Sequence, residues 1–157
     1  MRCEQTLCGA LPAPDNTGHI IQPAIDLNVD PLMPAVSPVN PTRVVIVDDE
    51  PALADGLAEL LTLEGFSAKA VYDGAEAIAL VKSFEPHCVI LDIGMPGIDG
   101  AELASRLRKA HGDDIILLAM TGRDIRDPAV LSTYAMVDHY FAKPVELDAL
   151  LKVLRTS

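Results

Sequence analysis

Between residues 43 and 155 apolar positions alternate between short unbroken runs and stripes at helical spacing. The unbroken runs, Arg43 to Val47, Ser67 to Val71, Val89 to Leu91, Ile115 to Ala119 and His139 to Ala142, read as strands. Those at 43 and 89 are too apolar to keep one face in water, which predicts buried, central strands of parallel type. Between and after them the stripes are Leu53, Leu57, Leu60 and Leu61, then Ala77, Leu80, Val81 and Phe84, then Leu103, Leu107 and Ala110, a weaker Val130, Leu131 and Tyr134, and last Leu147, Leu150, Leu151 and Leu154. Each predicts a helix with one buried face. The punctuation agrees: Pro51 suits a first helical position, Gly65 a left-handed stop, and Pro128 the start of the short fourth helix. Asp73 with Glu76 resembles a capping box, and Asp99 caps the third helix.

Five strands alternating with five helices predict an α/β fold, an open and mostly parallel sheet wound on both faces. Right-handed crossovers bring every strand's carboxyl end to one edge, where ligands of such sheets bind beside the topological switch point. Residues 42–157 are read as this one domain. Residues 1–41 read as a disordered or extended tail, because Pro12, Pro14, Pro23, Pro31, Pro34, Pro38 and Pro41 interrupt any period. Ile20, Ile21, Ala24 and Ile25 are the tail's candidates for packing on the domain or a partner.

Composition narrows the classes. A formal charge of −11 argues against nucleic acid or an anionic membrane as a direct ligand, since phosphate binding rests on clustered Lys and Arg. Cys3, Cys8 and Cys88 form no zinc spacing, and Cys88 in an apolar run reads as a buried, inert thiol. No apolar run nears the ~20 residues of a membrane span, and the start lacks a signal-peptide layout, so the expectation is a cytoplasmic protein.

Candidate chemistry collects at the predicted edge: Asp48, Asp49 and Glu50 after the first strand, Asp92 after the third, Thr121 after the fourth and Lys143 after the fifth. Taken singly, each has a plain structural reading. Asp-Asp-Glu before a helix complements its dipole, Asp92 ends a strand by bonding its own turn, Thr121 is a turn hydroxyl and Lys143 a solvated lysine. Taken together, carboxylates crowded at one edge repel one another and call for a cation. Oxygen donors without His or Cys suit Mg²⁺. With Lys143 and Thr121 that set suits a phosphoryl group carried on Asp92.

The stretches Val44 to Glu50, Ile90 to Gly100, Met120 to Gly122 and Tyr140 to Pro144 resemble the receiver domain of two-component response regulators, over about residues 43 to 155. The D-x-x-M-P-x-x-D-G segment from Asp92 to Gly100 is its most specific part. The resemblance implies a flavodoxin-like strand order 2-1-3-4-5, a cis bond before Pro144, and Asp92 as phosphoacceptor for a histidine kinase or histidine phosphotransfer protein. It further implies that Mg²⁺ is held by Asp49, Asp92 and the Gly94 carbonyl, with Asp48 acting through a water. Thr121 becomes the switch hydroxyl, Lys143 the phosphate-binding lysine and Tyr140 the aromatic that changes rotamer. Arg123 and the side-chain-free Gly94 flank the path of attacking water. Met136 departs from the family pattern by standing where a glycine is usual.

The leading expectation is a stand-alone receiver, not an enzyme. It would act on a downstream protein target, on a second copy as a homodimer, or by relaying the phosphoryl group, with no nucleic acid or membrane partner. The rival class is a Mg²⁺-dependent phosphohydrolase with an aspartyl-phosphate intermediate, against which stand the absence of a carboxylate two residues after Asp92 and of a cap domain.

Overall fold

The computed structural model describes residues 40–124 and 126–156. The expected tail, with Cys3, Cys8 and its apolar residues, lies outside the described residues apart from Asn40 and Pro41. The elements alternate as β1 (Arg43–Val47), α1 (Pro51–Leu63), β2 (Ser67–Val71), α2 (Gly74–Phe84), β3 (Cys88–Asp92), α3 (Gly100–His111), β4 (Ile116–Thr121), α4 (Pro128–Tyr134), β5 (His139–Ala142) and α5 (Leu147–Thr156). The strands form one parallel sheet in the order β2-β1-β3-β4-β5, as expected.

The strand period of two sorts the core into halves. Val45, Val47, Val89, Leu91, Leu117 and Ala119 face one side and pack with residues of α2, α3 and Val130 of α4. Val44, Ile46, Ile90, Leu118 and Met120 face the other, against Ala54 and Leu61 of α1 and Leu150, Leu151 and Leu154 of α5. Both faces of β1 and β3 are therefore dry, which is why their sequences do not alternate.

Helix starts follow the side chains read as caps. The Asp73 carboxylate accepts from the Glu76 amide at 2.8 Å, and Asp99 accepts from the Glu102 amide at 2.8 Å. Gly65, at φ +95°, follows the end of α1 in the left-handed region that favours glycine.

The structure corrects the expectations in three places. α1 is turned relative to the expected stripe. Ala54 and Leu61 are buried and Leu57 half-buried, whereas Leu53 and Leu60 are 48% and 45% exposed. The two arcs share Leu57 and Leu61, so the apolar pattern alone does not separate them. β4 runs on through Met120 and Thr121, because Phe141 and Ala142 of β5 pair with them. In α4 Val130 is buried but Leu131 is 55% exposed.

Met136 needs no left-handed backbone: among the described residues the one non-glycine at positive φ is Glu85. Instead the Met136 carbonyl accepts from Arg108 Nε at 3.1 Å and Nη2 at 2.9 Å. The same guanidinium donates to the Gly112 carbonyl at 2.7 Å and to Asp138 at 2.8 Å, so a half-buried arginine clasps the segment between α4 and β5 onto α3.

Candidate functional site

All the residues expected at the carboxyl edge are there, and side-chain contacts join Asp48, Asp92 and Lys143. Asp48 follows β1 directly and is 2% exposed. Its Oδ1 accepts from the Glu50 amide at 3.0 Å, and its Oδ2 takes the Lys143 ammonium at 2.7 Å. Asp48 thus spans helix and site, one oxygen on the N-cap amide of α1 and the other on the lysine of the site. Glu50 is the N-cap of α1 without a side-chain cap bond, and it does not belong to the carboxylate cluster.

Asp92 is the last residue of β3, paired with Met120 and 7% exposed. One oxygen does what a turn aspartate does: Oδ1 accepts from the Gly94 amide at 3.1 Å. The other faces Lys143 Nζ at 3.5 Å. Burial pushes the Asp92 carboxyl up, and the charge of Asp48 adds to this, against the downward pull of the Gly94 amide and Lys143. Burial alone would lower Lys143, but its hydrogen bond to Asp48 and the charges of Asp92 and Asp48 outweigh that and hold it raised and cationic.

Lys143 is placed by β5: its amide donates to the Thr121 carbonyl at 2.8 Å, and the bond to Pro144 is cis, as expected. Thr121 is 1% exposed and its Oγ1 accepts from the Arg123 amide at 3.0 Å. Tyr140, half-buried on β5, stacks its ring on Tyr134 with centroids 4.8 Å apart.

Carboxylate oxygens of Asp48, Asp49 and Asp92 lie within 4.8 Å of one another, two of these residues being buried. One lysine leaves this triad under-neutralised, and the donors are hard oxygens without nitrogen or sulfur, so they fit Mg²⁺. Gly94 borders the cluster: a Cβ built there would stand 3.8 Å from both Asp92 oxygens and 3.5 Å from Arg123 Nε. Any side chain at 94 would therefore fill the space beside Asp92. Arg123 itself is half-exposed and pairs with Asp127 at 3.4 Å.

Close backbone approach fixes where Asp92 sits. A Cβ on Gly100 would lie 2.6 Å from Ile93 Cα and 3.0 Å from the Asp92 carbonyl carbon, so only glycine lets α3 start against the end of β3. In the sequence Gly100 is legible as part of a motif, and this contact is not.

A groove lies beside the site. The outward turn of α1 leaves Leu53, Leu57 and Leu60 facing Pro144 and Val145 across an apolar cleft of about 800 Å³, with Asp48 and Lys143 at its border. The signal was present as a helix with apolar residues on more than one arc. Cys88 is buried, which pushes its thiol up and accords with an inert role. Among the described residues no helix is long and apolar enough to cross a membrane.

Comparison with known proteins agrees with this geometry. The family model for the response regulator receiver domain matches residues 44–155. The response regulator MprA of Mycolicibacterium vanbaalenii is 38% identical over 115 residues, which cover 73% of this chain and 49% of that protein. The chain therefore spans about half the length of the curated relatives it matches. Among solved structures, the response regulator TrrA of Thermotoga maritima, in complex with Mg²⁺ and BeF, is 34% identical with a TM-score of 0.65, covering 73% of this chain and 97% of that one. A receiver domain from Methylobacillus flagellatus is 26% identical with a TM-score of 0.66, covering 74% and 98%.

Proposed function

This chain belongs to the response regulator receiver domain family, and from that premise we propose that Asp92 accepts a phosphoryl group from the phosphohistidine of a histidine kinase or histidine phosphotransfer protein. The observation that carries the reading is Lys143 lodged between Asp48 and Asp92, at 2.7 and 3.5 Å, on the edge where Asp49 completes an oxygen cluster.

In the transfer a carboxylate oxygen of Asp92 attacks phosphorus as the phosphorus–nitrogen bond breaks and imidazole departs. Asp48, Asp49, Asp92 and the Gly94 carbonyl are the residues that would hold Mg²⁺, which when bound offsets charge on the phosphoryl oxygens. Lys143 shifts part of its interaction from Asp48 to the new phosphoryl group. The Thr121 hydroxyl turns to a phosphoryl oxygen, and Tyr140 changes rotamer into the space this opens.

Output passes by protein contact, to a downstream target, a second copy or a relay partner, in the cytoplasm and without a nucleic-acid ligand. The apolar groove beside Lys143 supports docking of the donor protein there. Leu53→Asp with Leu60→Asp should slow transfer from a protein donor while leaving acetyl phosphate as effective as before.

Arg123 and Gly94, where a Cβ would reach both Arg123 and Asp92, set the lifetime of the phosphorylated state. Arg123→Ala should change the rate of hydrolysis, and an unchanged rate removes that role. The reading as a whole is tested by incubation with acetyl phosphate and Mg²⁺. A stoichiometric acyl phosphate that chelation of Mg²⁺ prevents supports it, whereas turnover of many phosphoesters would make the chain a phosphohydrolase.

A further inference from the structure

Tyr140 has a neighbour that the switch reading does not use. Tyr134 closes α4 and stacks on Tyr140 with ring centroids 4.8 Å apart and planes 29° from parallel. Tyr140 pairs in register with Ala119 and Ala142 with Thr121. Residues two apart in a strand share a face, so Thr121, Tyr140 and Ala119 all point to the side on which Val130 of α4 packs. Tyr140 is also packed there against the core together with Met136 and Val137. On this face Tyr134 is the ring against which Tyr140 rests. Tyr134 is 37% exposed, and Leu131, one turn earlier on α4, is 55% exposed.

We propose that Tyr134 is a positioning residue for the switch: its stacked ring holds Tyr140 in the half-exposed position and, once abandoned, changes the surface that α4 presents around Leu131. The inference rests on the reading of Asp92 and Tyr140 given above. It goes beyond that reading by naming what opposes the switch and which helix registers it. Aromatic stacking of this kind is worth a factor of about 2 to 10 in an equilibrium.

The chain has three tyrosines and no tryptophan, so ring resonances of Tyr72, Tyr134 and Tyr140 can be followed separately by NMR. The experiment titrates the full chain with beryllofluoride in the presence of Mg²⁺ and reads the Gly94 amide for binding and the Tyr140 ring for movement. Tyr134→Ala should lower the concentration at which Tyr140 has half moved by about 2- to 10-fold, at a melting temperature within a few degrees of the parent. Tyr134→Phe keeps the ring and should behave as the parent does. If the Gly94 amide reports binding and all three proteins share one midpoint, Tyr134 has no positioning role and the Asp92 reading stands. If the Gly94 amide does not respond in the parent, the Asp92 reading fails and this inference fails with it.

Discussion

Two glycine-to-alanine changes in this domain should have opposite signs, and the contrast tests how the Asp92 carboxylate is held. At Gly100 a Cβ would lie 2.6 Å from Ile93 Cα, and ordinary contact begins near 3.4 Å, so α3 and the end of β3 must part by roughly 0.8 Å. The atoms in the way are backbone, which has no rotamer to offer, and overpacking of this kind costs about 1–3 kcal/mol. At Gly56, within α1, a Cβ meets nothing within 4 Å. There the change removes unfolded-state entropy and should stabilise by about 0.5–1 kcal/mol. Urea denaturation followed by circular dichroism measures both. The two variants should lie about 1.5–4 kcal/mol apart, with Gly100→Ala below the parent and Gly56→Ala above it. Because the atoms displaced belong to Asp92 and Ile93, Gly100→Ala should also slow phosphorylation by acetyl phosphate. Equal stability of the two variants would refute the claim that α3 is packed to contact on the end of β3.

Other outcomes follow from the same contacts. Arg108→Ala should cost about 2–3 kcal/mol, since it strips two charged hydrogen bonds from the half-buried Met136 carbonyl and one from the exposed Gly112 carbonyl, whereas Arg155→Ala breaks one exposed pair with Glu64 and should cost under about 1 kcal/mol; chemical denaturation checks both. Burial alone would raise the Asp138 carboxyl, but the Leu117 amide and Arg108 outweigh it and hold it below its ordinary value. A depressed carboxylate stabilises the fold above its unfolded pKa of about 3.9 and loses that contribution as pH falls through the folded value, so the parent should lose stability more steeply below about pH 4 than Asp138→Asn. Mg²⁺ at a hundred times its dissociation constant should stabilise the parent by about 2.7 kcal/mol, and the thermal shift should shrink sharply in Asp49→Ala.

The fold was legible because its signals were local and repeated. The apolar runs of β1 and β3 announced a sheet buried on both faces, and Asp73 and Asp99 stand directly before α2 and α3 as their N-caps while Gly65 follows the C-cap of α1. The rotation of α1 was not legible, since Leu53 and Ala54 are neighbours on its surface and only the sheet decides which turns inward. Nor was the clasp at Met136: Arg108 lies 28 residues away in sequence, and nothing in its own helix marks it as different from Arg106 or Lys109.

The site was legible in its residue types and less so in its pairing. Asp48, Asp49, Asp92, Thr121 and Lys143 were all named from the strand ends. That Lys143 sits nearer Asp48 than Asp92, that Glu50 stays out of the cluster, and that Tyr134 stacks on Tyr140 depend on register between strands and on helix placement, which single-strand patterns do not carry.

The central claim, that Asp92 is the acceptor, is tested most directly by mapping the phosphoryl group by mass spectrometry after incubation with acetyl phosphate and Mg²⁺, in the parent and in Asp92→Asn. Burial raises the Asp92 carboxyl, so its charge is not what stabilises the fold, and Asp92→Asn should fold at least as stably as the parent at neutral pH. The account predicts one phosphoryl group, on Asp92, in the parent and none in the folded variant. A folded Asp92→Asn that takes phosphate at the full rate would contradict it.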